Sequence, residues 1–167
     1  RIYSDREFLK ISKACEIIPR AFELVAKSIE PGVTTSELNR IVDSYVRSRG
    51  AKPSFIGVSG PPGVPPFPAC CCISLNSEVV HGIPSERTLK DGDMVKIDVG
   101  TNLDGYFGDS ARTFPVGNVS AERLALMDAT REALMKGIAA ARPGNRLGDI
   151  GYAVSHHVQP FGYGVVR

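Results

Sequence analysis

The stretch "KIDVGTNLDGYFGDSARTF", residues 96–114, decides how this chain folds. Asp104-Gly105 stands between two alternating segments, and that dipeptide suits the central pair of a tight hairpin, where the backbone takes positive φ. With the turn placed there, Leu103 pairs with Tyr106 and Asp98 lies opposite Ala111. Asp109 is two residues from Ala111. Side chains alternate faces along a strand, so Asp98 and Asp109 share a face as diagonal neighbours, about 7–8 Å apart at the backbone. Val95, Ile97 and Val99 surround the first aspartate, and Gly108, Ser110 and Ala111 surround the second. Two carboxylates on a largely apolar sheet repel, and burying either without a counter-charge is costly. A divalent cation removes that conflict, and carboxylate oxygens suit hard or borderline ions. The spacing alone equally allows one aspartate to be a solvated strand residue. Asp91, Asp93 and Asp104 each adjoin a glycine and read as turn residues without a catalytic role.

Outward from the hairpin, strands are expected at 71–75, 94–101 and 106–114. A helix is expected over 4–29, opened by a capping box of Ser4 and Glu7, with Pro19 bending or restarting it. Pro31-Gly32 breaks it, and Thr34 with Glu37 opens a second helix that stops at Gly50. Residues 53–68 form a loop whose run "GPPGVPPFP" suits a rigid wall. Helical patterns return over 120–142 and 145–159. There is also a repeat at an offset of 112 residues: Pro31-Gly32 meets Pro143-Gly144, Leu38 meets Ile150, Val42 meets Val154, Val46 meets Val158 and Gly50 meets Gly162. Residues 1–118 then read as a first pseudo-repeat and 119–167 as the helical start of a second, whose strands do not follow.

Composition narrows the class. Hydrophobic residues make up 43% and charged residues 23%, the balance of a globular chain rather than a disordered one. Lys and Arg number 20 against 18 Asp and Glu, so nothing points to nucleic acid or an anionic membrane as a partner. No segment has a membrane-spanning or signal-peptide pattern. Residue 1 is Arg rather than Met, which suggests a processed or trimmed start. Three of the four cysteines are consecutive, Cys70, Cys71 and Cys72, and neighbours on a strand point to opposite faces, so they cannot converge on one ion. Without a CxxC spacing, a reduced, cytoplasmic setting is expected. Cys15 belongs to a helix face and is expected in the core.

The second informative segment is "CISLNSEVVHGIP", residues 72–84. His81 follows Val79-Val80 and precedes a Gly-Ile-Pro turn, so it is expected at a strand end facing a cleft, although a lone histidine is more often structural. Taken together, "VVHGIP", "DGDMVKIDVG" and "GYFGDSARTFPVG", in that order, resemble type I methionine aminopeptidase. The likeness extends over nearly the whole chain, including "PGVTTSEL" at 31–38 and "FGYGVVR" at 161–167.

That resemblance implies the α+β pita-bread fold, an antiparallel sheet with flanking helices in two pseudo-symmetric halves, the second incomplete here. It implies that Asp98 chelates one metal and Asp109 bridges two, and that His81 contacts the substrate near the scissile amide. It places Cys72 and Phe67 in the pocket for the methionine side chain, with Cys70 and Cys71 left as packing residues. The cofactor would be two divalent ions, drawn from manganese, cobalt, iron or zinc. The activity would be removal of initiator methionine from nascent proteins, with ribosome association and a second chain supplying the missing half as further partners.

The family site also uses one histidine and two glutamates that have no counterpart in these 167 residues. His156 and His157 fall in a helix before the expected position, and Glu122 and Glu132 read as surface-helix residues. Two carboxylates alone make a weak cation site, so this chain alone is expected to be inactive. The alternatives are a non-catalytic pita-bread module that binds peptides or proteins, and a proline-specific peptidase of the same fold.

Overall fold

The computed structural model describes residues 2–166, so expectations touching Arg1 and Arg167 lie outside the described residues. The chain divides into two compact units, one ending at Val119 and the other beginning at Ser120.

The first unit opens with α1, Asp5–Ala26. Ser4 caps it: the Glu7 N–H donates to Ser4 Oγ while Glu7 Oε2 accepts from the Ser4 N–H at 2.9 Å. Pro19 lies inside the helix, yet the helix runs through without the restart the sequence suggested. The missing N–H removes one internal bond. Burial of Ile17, Ile18, Ala21, Phe22 and Val25 on one face offsets that loss, each large side chain contributing roughly 1.5–3 kcal/mol. Thr34 and Glu37 cap α2, Thr35–Ser48, in the same reciprocal way. The chain leaves α2 through Gly50, whose φ of 74° is natural only for glycine.

Four antiparallel strands follow: β1 (Lys52–Pro53), β2 (Cys71–Leu75), β3 (Met94–Leu103) and β4 (Tyr106–Pro115). β3 is central. It pairs along its full length with β4 on one side, and with β2 and then β1 on the other. The two-residue β1 was not foreseen, and β3 and β4 run slightly beyond their expected ends. Asp104 and Gly105 occupy the turn with φ of 52° and 82°. The register is the one the turn dictates, Leu103 with Tyr106 and Asp98 with Ala111.

One face of β3, Val95, Ile97 and Val99, is wholly buried, in one core with Cys71, Ile73 and the apolar faces of α1 and α2. Thr101 Oγ1 donates to the Ala14 carbonyl at 2.9 Å, and a Cβ on Gly108 would fall 2.8 Å from the Cys15 backbone. α1 therefore lies directly on the β3–β4 hairpin. Cys15 meets it through its main chain and is exposed, contrary to the core position expected.

The second unit is a helical hairpin, α3 (Ala121–Ala140) and α4 (Leu147–Val158), ending in a short 3₁₀ turn, Gln159–Phe161. Gly137 lets the helices approach, since a Cβ there would lie 3.0 Å from Val154 Cγ2. Among the described residues, no helix is long and apolar enough to cross a membrane.

Candidate metal and substrate site

The face of β3 opposite the core carries Lys96, Asp98, Gly100 and Asn102. Asp98 sits in the middle of the sheet, with Cys72 of β2 across one side and Ala111 of β4 across the other. Asp109 is opposite Gly100 and shares this face with Ala111. The two carboxylates come within hydrogen-bonding reach of one another. Burial first, and then repulsion by Asp109, lift the Asp98 carboxyl from its usual 3.8 to about 6, with nearby His81 acting the other way. Asp98 Oδ1 is buried and has no hydrogen-bond partner. A buried carboxylate oxygen of this kind is costly unless something positive meets it. Two acidic side chains converging around an unpartnered oxygen fit part of the ligand set of a hard or borderline divalent cation. Among the described residues, no group of three or more His, Cys, Asp or Glu side chains is placed to hold an ion.

His81 does not end a strand as expected. β2 stops at Leu75, a turn reverses the chain, and an irregular segment returns along the outer edge of β2. Gly82 anchors it there: the Ile73 N–H donates to the Gly82 carbonyl at 2.8 Å, and the Gly82 N–H donates to Ser74 Oγ at 3.0 Å. A Cβ on Gly82 would lie 2.2 Å from the Ile73 carbonyl oxygen, so only glycine fits. Immediately before it, His81 has a φ of 59°, sparsely populated for a non-glycine residue and held only where the surroundings insist on it. Its backbone N–H lies near the Cys72 thiol and works against the upward shift of that group.

Cys72 is 6% exposed, and burial followed by the charges of Asp98 and Asp109 pushes its thiol up to about 11. It is thus a neutral, polarisable surface rather than a thiolate. Cys71 points into the core, and the Cys70 and Cys71 N–H groups both donate to Asn39 Oδ1, which makes both of them packing residues.

Phe67 lies at the base of the Pro/Gly-rich loop, pinned by backbone bonds to Gly57 and Val58, each 2.9 Å. It does not act alone. Phe55 meets it edge-on, ring centroids 6.5 Å apart at 86°. Phe55 in turn covers Gly100, where a Cβ would lie 2.5 Å from the ring and 2.1 Å from Ser54 Oγ. An aromatic wall therefore stands on the sheet beside the Gly100–Asp109 pair. Sequence reasoning missed Phe55, although a glycine in mid-strand is a signal that something packs close upon it.

The remaining candidates are engaged elsewhere. Asp91 Oδ1 accepts from the Asn118 N–H at 2.8 Å, Asp93 Oδ1 accepts from Asn76 Nδ2 at 2.8 Å, and Asp104 forms the hairpin tip. His156 stacks on Tyr152, His157 Nε2 lies 3.1 Å from Glu132 Oε2, and Glu122 is exposed in the first turn of α3.

Comparison with known proteins agrees with this geometry. The model of metallopeptidase family M24 matches residues 9–167. The methionine aminopeptidase of Clostridium acetobutylicum is 42% identical over 167 residues, covering 99% of this chain and 64% of that protein. The crystal structure of methionine aminopeptidase from Rickettsia prowazekii matches with a TM-score of 0.94 at 37% identity, over 100% of this chain and 65% of that one. Prolidase from Pyrococcus furiosus matches with a TM-score of 0.84 at 26% identity, over 98% and 45%. The shared architecture is the α+β pita-bread fold. The chain spans about 64% of the length of the curated relatives it matches.

Proposed function

The chain belongs to metallopeptidase family M24, and from that premise we propose that it carries the aspartate side of a metal centre that removes the N-terminal methionine of nascent proteins. Membership implies a divalent metal cofactor, which we take to be two ions, of manganese, cobalt, iron or zinc. The observation that carries it is the convergence of Asp98 and Asp109 around an unpartnered buried oxygen, beside Cys72 and His81.

In this reading Asp98 and Asp109 are the residues of this chain that would hold the metal, Asp98 contacting one ion and Asp109 shared between the two. When bound, such ions supply Lewis acidity, lowering the pKa of water and polarising a carbonyl. The chain's own groups do the rest. Asp98, half-buried and otherwise destabilised by its charge, is held ready to accept a cation. His81, fixed in its left-handed conformation, presents its imidazole to the substrate near the scissile amide and stabilises the transition state. The neutral Cys72 thiol and the Phe67 ring, backed by Phe55, hold the methionine side chain by apolar contact and exclude water from it. Nascent chains at the ribosome are the implied substrates, and a cytoplasmic setting goes with them.

The repeat belongs to the same proposal, with 1–118 as the first copy and 119–167 as the start of the second. Backbone geometry supports it: Gly32 and Gly144 have φ of 97° and 91°, and Gly50 and Gly162 have 74° and 76°.

A proline-specific peptidase is the competing reading, and the 26% identity to prolidase keeps it in view. Binding of Met-Ala-Ser and of Ala-Pro, measured with manganese present, separates the two. The proposal expects at least about tenfold tighter binding of the methionine peptide, and equal or reversed preference would overturn it. Turnover should stay near background, because two carboxylates from this chain do not complete a metal pair. Robust cleavage by the 167-residue chain would contradict that part.

A further inference from the structure

Lys96 is the charged side chain of the site face that the proposed reaction does not use. It stands two residues before Asp98, opposite Ser74 of β2. Its ammonium reaches over the end of β2 and donates to two main-chain carbonyls of the following turn, those of Asn76 and Glu78. The group is half-buried, and desolvation draws its pKa downward. A desolvated ammonium aimed at two backbone oxygens is a clamp rather than a solvated surface charge.

That clamp holds a strained piece of chain. Asn76 has a φ of 50°, and His81, five residues on, has 59°. Val79 and Val80 between them are exposed, at 58% and 59%, and so provide little packing. The segment bearing His81 is therefore suspended between two anchors. One is Gly82, bonded to Ile73 and Ser74. The other is the turn at 76–78, where the Lys96 ammonium joins the bond from the Asn76 N–H to the Met94 carbonyl and the Glu78–Arg87 ion pair.

We propose that Lys96 is a positioning residue for His81: by gripping the Asn76 and Glu78 carbonyls, it fixes the turn that holds the His81 imidazole toward the carboxylate pair. The inference rests on the functional reading for the importance of His81, but not for the coupling itself. Lys96 acts through the main chain and touches no reacting atom.

The test compares the unsubstituted chain with Lys96→Met, which keeps the stem and removes the ammonium, and with Lys96→Arg, which keeps a cation. Amide hydrogen exchange is measured across the chain, together with the imidazole NMR signals of His81. The chain has three histidines, so a His81→Asn variant assigns those signals. Lys96→Met should raise exchange at the hydrogen-bonded amides of Asn76, Glu78 and Gly82 by about tenfold or more, with the paired amides of β3 and β4 unchanged. The His81 imidazole signals should broaden or multiply, and Lys96→Arg should restore both readouts at least in part. Unchanged exchange and unchanged His81 signals in Lys96→Met would overturn the proposal. So would exchange raised uniformly through the first unit, which would make Lys96 a general stabiliser. Neither readout requires turnover, so failure of the peptidase reading would leave this result standing, and failure here would leave that reading standing.

Discussion

The two faces of β3 are built from alternate residues of one strand, yet they follow opposite rules. Val95, Ile97 and Val99 on one face are 0% exposed and packed in one core with the apolar faces of α1 and α2. Lys96, Asp98, Gly100 and Asn102 on the other face include a clamped ammonium, a carboxylate with an unpartnered oxygen, and a glycine pressed under an aromatic ring. The first face contributes stability through dense apolar packing. The second gives some up, since Asp109 repels Asp98 and Asp98 Oδ1 is buried without a hydrogen-bond partner. Changes on the two faces should therefore differ in size, in sign and in their effect on cation binding.

The largest effect belongs to the core face. Ile97→Ala should cost about 2–5 kcal/mol, read from the urea midpoint of the first unit's unfolding, because its close-packed surroundings cannot collapse fully into the cavity. Divalent-ion binding by the fraction that stays folded should change little. Gly100→Ala, on the site face, should cost about 1–3 kcal/mol, because the new methyl forces Ser54 and Phe55 aside. It should also weaken Met-Ala-Ser binding, and retention of full peptide affinity would remove Phe55 from the pocket wall.

Asp98→Asn should have the smallest effect on stability and the opposite sign. With the metal chelated, the folded-state carboxyl titrates at about 6 instead of its usual 3.8. The folded chain therefore binds the proton more tightly than the unfolded one, and stability falls as pH rises from about 4 through 6. Asparagine removes that loss. At pH 7 the variant should be more stable by about 1 kcal/mol, allowing for solvent screening of a half-exposed group, and near pH 4 the gain should vanish. Parallel denaturation curves at the two pH values check it.

How much was legible beforehand follows the range of the interactions. The hairpin and its register were readable because Asp104-Gly105 is a local turn signal, and the register then placed Asp98 and Asp109 on one face. The capping boxes at Ser4 and Thr34 were local in the same way. β1 was not readable, since Lys52 and Pro53 become a strand only by pairing with Asn102 and Thr101, some fifty residues away. His81 was singled out, but its place on the edge of β2 depends on a close approach of Gly82 to Ile73 that the sequence does not announce. Cys15 was misjudged because helical periodicity locates a face without showing whether side chain or backbone meets the partner. Phe55 and Lys96 act through tertiary contacts, and only the glycine at position 100 hinted at the former.

The most direct test of the account is titration of the 167-residue chain and its Asp98→Asn and Asp109→Asn variants with manganese, followed by calorimetry. Saturable binding by the unsubstituted chain, weakened about tenfold or more in each variant, is the expected result. Binding that persists unchanged in either variant would mean that these two carboxylates do not share an ion, and the account would be wrong.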